Sequence, residues 1–118
     1  MATSTIKCNM VKLWENIDPT TAFAAQSLSV NLNGCTAVFV AFSAILGGSV
    51  TGVFPLGSRV AVKDWGTSSS NLAMLIRPLT ATNTGISFED CEMRVQGTSA
   101  MQTRNQYLIP LEIYGIKA

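Results

Sequence analysis

The stretch A-V-F-V-A-F-S-A-I-L-G-G-S-V-T-G-V-F, Ala37 to Phe54, carries no charge and reaches the length, roughly 18 residues, at which a transmembrane helix comes into question. Three features turn the reading toward a β-sheet. Gly47-Gly48-Ser49 sits midway, where a helix loses about 1 kcal/mol per Gly relative to Ala and a strand pair finds its turn. The flanks lack the Lys, Arg and aromatic residues that bracket a span: N-L-N-G-C precedes the stretch, and the nearest downstream cation is Arg59. Its richness in Val, Phe, Thr and Ile suits a pleated surface. The stretch is therefore read as a hairpin and not as a membrane span. The run from Thr36 to Ile45 does not alternate by polarity, so both its faces are expected to be covered and the strand to be central.

Outward from this hairpin the pattern stays strand-like. Gln26 to Leu32 alternates, with Leu28, Val30 and Leu32 on one face and Ser27, Ser29 and Asn31 on the other. Asn33-Gly34 after it is the strongest short hairpin signal in the chain. Met10 to Trp14 opens a first strand, Asp18-Pro19 initiates a turn, and A-F-A-A-Q reads as one helical turn. Downstream come V-T-G-V-F-P-L, a turn at Gly57, S-R-V-A-V-K and a polar loop around G-T-S-S-S-N. Three further runs follow: L-A-M-L-I-R-P-L-T, G-I-S-F-E-D-C-E-M-R-V and Y-L-I-P-L-E-I-Y-G-I. Short, evenly spaced strands with turn residues between them predict an all-β fold, an antiparallel β-sandwich of jelly-roll-like form with about eight strands. Pro78 and Pro110, inside apolar runs, demand edge positions or bulges. Residues 1–9 read as an N-terminal extension and residues 10–118 as a single sandwich domain.

Charged residues make up 13% of the 118 residues, against about 25% in ordinary soluble domains. With 47% hydrophobic residues, a lone subunit would expose apolar patches larger than monomers normally tolerate. Self-association into a small symmetric homo-oligomer, a homotrimer by expectation, follows, and Trp14, Phe23 and Tyr114 are the candidate interface residues. A net charge of +1 supplies no basic field for nucleic acid. The 3 cysteines, Cys8, Cys35 and Cys91, are an odd count without metal-knuckle spacing and read as free thiols of a chain folded in a reducing cytoplasm. The opening M-A-T-S-T-I-K-C-N-M-V-K lacks the apolar core of a signal peptide.

Candidate chemistry is thin. The chain contains 0 histidines, which removes the commonest general base and metal ligand. A carboxylate pair would have to come from Glu89, Asp90 and Glu92. Glu89 and Asp90 are adjacent in a strand-like run and so point to opposite faces. L-G-G-S-V-T-G lacks the Lys-Ser/Thr of a phosphate-binding loop. Trp14, Trp65, Tyr107 and Tyr114 could stack on a sugar, although aromatics of a small β-domain more often fill a core or an interface. No catalytic residue, cofactor or metal is expected, and the chain is read as a non-enzyme.

K-L-W-E-N-I-D-P-T-T-A-F-A-A-Q-S-L-S-V-N-L-N-G, Lys12 to Gly34, resembles the opening of a small β-module of tailed-bacteriophage structural proteins, often found at the C-terminal end of tail-fibre or minor structural proteins. The matching features are Trp14, Asn16, Pro19-Thr20, Phe23 to Gln26 and Gly34. Pro55 to Gly57 and Thr84 to Phe88 follow in the same order, and Ile109-Pro110 with Ile113 to Lys117 closes the module. The resemblance implies virion attachment or surface display in place of catalysis. The expected function is a structural protein of the virion surface, assembled in the bacterial host cytoplasm. Its expected partners are further copies of itself and other virion proteins such as the major capsid protein. Capsid decoration is expected first, because the chain enters its first strand near Met10 with no stalk before it. A tail-tip or tail-fibre receptor-binding protein is the alternative, and a free carbohydrate-binding module that takes a host surface glycan is a third.

Overall fold

The computed structural model describes residues 9–98 and 100–117. Over that span the chain forms two antiparallel sheets packed as a sandwich, with ten strands among the described residues: β1 Met10–Glu15, β2 Gln26–Ser29, β3 Cys35–Ser43, β4 Ser49–Pro55, β5 Arg59–Ser68, β6 Asn71–Thr82, β7 Gly85–Phe88, β8 Glu92–Val95, β9 Gln102–Thr103 and β10 Pro110–Lys117. The four-stranded sheet runs β1-β10-β3-β4. The six-stranded sheet runs β2-β7-β6-β8-β9, with β5 along the other side of β6. The chain changes sheet at β1–β2, β2–β3, β4–β5 and β9–β10, as a jelly roll does, while β3–β4, β5–β6 and β6–β7 are hairpins within one sheet.

Ala37 to Phe54 forms the β3–β4 hairpin, and β3 lies between β10 and β4. The turn is the segment Ala44–Gly48, with Gly47 and Gly48 at positive φ of 94° and 75°, where a side chain would be strained. Val38, Val40 and Phe42 of β3 point into the core and are fully buried, whereas Ala37, Phe39 and Ala41 on the outer face are only partly covered. The expectation that both faces of this strand are closed therefore holds for one face only: among the described residues, no third layer lies over the other.

Residues from both sheets meet in one core, including Leu32, Val38, Val40, Phe42, Leu75, Leu79, Ile86, Phe88, Leu108 and Ile113. Each fully buried Leu, Ile or Phe contributes about 1.5–3 kcal/mol through removal of apolar area from water. Edge-on rings knit the middle, Phe42 to Phe88 at 6.1 Å and Phe23 to Phe88 at 5.6 Å, in the orientation that the ring quadrupoles favour.

Four further sequence expectations are corrected. Asn33-Gly34 does form a turn, closed by Cys35 N–H donating to Leu32 O at 3.0 Å. That turn carries the chain from β2 in one sheet to β3 in the other and makes no hairpin. A-F-A-A-Q forms no helical turn: residues 22–25 are irregular, because Phe23 is drawn into the core and Ala25 N–H donates to Asp90 Oδ1 at 2.9 Å. G-I-S-F-E-D-C-E-M-R-V splits into β7 and β8, with Glu89 to Cys91 outside both. The split lies opposite Pro78, which sits in the central strand β6 and not at an edge. Glu89 N–H donates to Pro78 O at 2.9 Å, so the nitrogen of Pro78, which has no hydrogen to offer, faces the same gap. Pro110 conforms to expectation, at the start of β10 and beside a register shift.

Candidate interaction surface

The outer face of the four-stranded sheet is built by register. Lys12 pairs Tyr114, Tyr114 pairs Phe39 and Phe39 pairs Val53, which gives one row across four strands; Met10, Ile116, Ala37 and Pro55 form the next. Directly opposed side chains on one face touch, and aromatic and branched pairs are the ones that contribute most. Phe39 and Tyr114 meet edge-on at 5.9 Å. Val53 is 59% exposed. These rows make an apolar strip, bounded at one end by charge: Lys12 Nζ lies 3.0 Å from Glu15 and 3.6 Å from Glu112. Tyr114 donates its hydroxyl to Glu112 at 2.8 Å, and this bond to the carboxylate raises the phenol pKa by stabilising its protonated form.

The three sequence-predicted interface residues part company here. Tyr114 lies on the outer strip. Trp14 is half-buried, its ring 6.5 Å from Phe23. Phe23 is only 7% exposed and sits beneath the Arg77 guanidinium, 5.6 Å from ring centre to carbon, so its ring is spent inside the subunit. Phe39, Val53 and Ile116 belong to the strip and were not singled out from sequence. The signal for them was the register of the β3–β4 hairpin, which the glycines mark without setting its length.

The outer face of the six-stranded sheet divides in two. One half is hydroxyl-lined, with Ser27 donating to Ser87 at 3.1 Å and Thr80 beside them by register. The other half shows Trp65, 57% exposed, paired with Met74, which in turn faces Arg94. Trp65 thus stands on the opposite side of the sandwich from Tyr114, while Tyr107 lies in the loop before β10. The four aromatics considered for sugar stacking form no shared platform.

The acidic cluster is engaged in holding the fold. Glu89 takes two hydrogen bonds from Arg59, at 2.6 and 2.8 Å, and this partner lowers its pKa. Asp90 accepts from Ala25 N–H and from Asn105 Nδ2, each at 2.9 Å, and those donors lower its pKa in turn. Glu92 accepts from Thr103 at 3.0 Å. Among the described residues no group of three or more His, Cys, Asp or Glu is placed to hold a metal, and no helix is long and apolar enough to cross a membrane.

Cys35 and Cys91 are free thiols, Cys35 half-buried and Cys91 fully buried. Burial raises the Cys91 pKa to about 11, because its thiolate would sit in apolar surroundings. Cys8 and most of the expected N-terminal extension lie outside the described residues. Comparison with protein-family models, curated proteins and solved structures found no match to the chain.

Proposed function

We propose that the chain is a non-enzymatic structural protein of a tailed-phage virion, exposed on the particle surface, where it docks in many copies as a capsid decoration protein. The virion setting comes from the resemblance of Lys12 to Gly34 and Ile109 to Lys117 to the phage β-module. The observation that carries assembly is the partly exposed apolar strip Val53–Phe39–Tyr114 with Ala37 and Ile116 beside it. A face of this kind serves contact with other protein surfaces. Weak docking repeated over a lattice gains strength when adjacent copies also touch.

Quantitative mass spectrometry of purified particles tests the proposal. Stoichiometry near that of the major capsid protein is the expected result. A few copies per particle would transfer the function to the tail tip, where attachment to the host is made. Absence of the protein from washed particles would overturn the virion reading itself.

A further inference from the structure

Among the described residues five strands rim the two sheets: β1 and β4 on the four-stranded sheet, and β2, β5 and β9 on the six-stranded one. An open rim invites pairing with another chain, and proteins blunt it with short strands, bulges or charges. Four of the rims are blunted in these ways. β2 has 4 residues and β9 has 2. β1 carries Lys12 and a register shift between Lys12 and Trp14. β5 carries Arg59 and Lys63. β4 is different: its 7 residues, S-V-T-G-V-F-P, bear no charge, and its register with β3 runs from Ala37↔Pro55 to Ser43↔Ser49 without a shift.

The direction of the free backbone groups on β4 follows from two hydrogen bonds. Ala44 N–H donates to Gly48 O at 3.3 Å, on the β4 side, and Ser43 N–H donates the other way, to Ile109 O at 2.9 Å. Alternation along an unshifted antiparallel pair then turns Val38, Val40 and Phe42 toward β4, and Val50, Gly52 and Phe54 back toward β3. The N–H and C=O groups of Ser49, Thr51 and Val53, with the C=O of Pro55, face the open side. Pro55 fits this phase, since its nitrogen lies where no donor is required. Ser49, Thr51, Val53 and Pro55 are also the exposed residues of the strand.

We infer that β4 pairs with β4 of a second copy, antiparallel about a two-fold axis, so that the two four-stranded sheets become one continuous sheet. The occupant is a second copy because an antiparallel edge carries its own complement of donors and acceptors, and this one brings no charge against its like. The pairing also sets Val53 of one subunit beside the β4 of the other and so extends the Val53–Phe39–Tyr114 row across the axis. The inference rests on the edge and not on the virion reading. It replaces the expected three-fold association with a two-fold one.

Light scattering on the full chain, together with amide hydrogen exchange, tests it. The expected results are a particle of twice the 12.6 kDa chain mass and slow exchange at Thr51 and Val53. Val53→Lys should weaken association at least tenfold and speed exchange at Thr51. Val53→Pro deletes one outward N–H while sparing the β3–β4 ladder, and should do the same. A monomer even at about millimolar concentration, a three-chain particle, or an oligomer unmoved by Val53→Lys would each overturn the pairing. None of those outcomes bears on copy number in particles, and a protein missing from particles would leave the two-fold pairing intact.

Discussion

Arg77 Nε donates to the carbonyl oxygen of Leu108 at 2.8 Å, and Leu108 is held at φ 47°, a left-handed conformation that costs a residue with a side chain roughly 1–2 kcal/mol. The same guanidinium donates to Glu89 O at 2.8 Å and to Tyr107 O at 3.1 Å. A buried charge, 0% exposed, thus ties the β7–β8 break to the loop that feeds β10. Desolvation lowers its pKa from the usual arginine value, and the carbonyls supply what water would have given.

Arg77→Leu should therefore destabilise the protein by about 3–5 kcal/mol, since it leaves several buried acceptors without a donor. Arg77→Lys should recover only part of the loss, because one ammonium cannot span three carbonyls as a planar fork does. Urea denaturation midpoints measure both.

The β5–β6 hairpin turns through Ser69 and Ser70 at φ 50° and 67°, both in the region that two-residue turns reserve for Asn-Gly. Replacing the pair by Asn-Gly should raise stability by about 1 kcal/mol with the strands unchanged. A higher denaturation midpoint at constant slope is the expected result.

Asp90 is held below its ordinary pKa by Ala25 N–H and Asn105. Its stabilising effect is present above the unfolded value, about 3.9, and is lost as pH falls through the lower folded value. Asp90→Asn should flatten the acid limb of the stability curve below about pH 4. Denaturant titrations at stepped pH would show it.

Thiol labelling of a Cys8→Ser variant at neutral pH should proceed in two phases. Half-buried Cys35 reacts in the native state, while Cys91, buried and with a pKa of about 11, reacts only through unfolding. Fast stoichiometric labelling of both would contradict its placement.

Where side-chain pattern and strand direction agree, the sequence was readable. Leu28, Val30 and Leu32 alternate with Ser27, Ser29 and Asn31, and the structure turns the first set inward. β6 hides its faces because its pattern is inverted: Met74 is exposed while Arg77, two positions beyond Leu75, is buried. No polarity rule places a guanidinium inside and a methionine outside, and the reason lies in carbonyls contributed by residues some 30 positions away. Asn33-Gly34 states a local backbone bend but not which sheet receives the next strand. The candidate surface was legible only at Tyr114, since Phe39 and Val53 become neighbours through a five-residue loop, Ala44–Gly48, whose length two glycines do not reveal.

The position of β10 between β1 and β3 sets a timetable for folding. During synthesis β1, β3 and β4 emerge first, yet no hydrogen bonds join β1 to β3 until the strand between them arrives. The growing chain holds Val38, Val40 and Phe42 on a hairpin that lacks its neighbour, a condition that exposes strand edges and apolar surface to aggregation. Closure joins segments far apart in sequence, Met10 with Ile116 among them, and contacts of that range fold in milliseconds to seconds, not microseconds. Loss of Pro110–Lys117 would therefore do more than shorten the sheet: it would leave two halves of it with nothing to join.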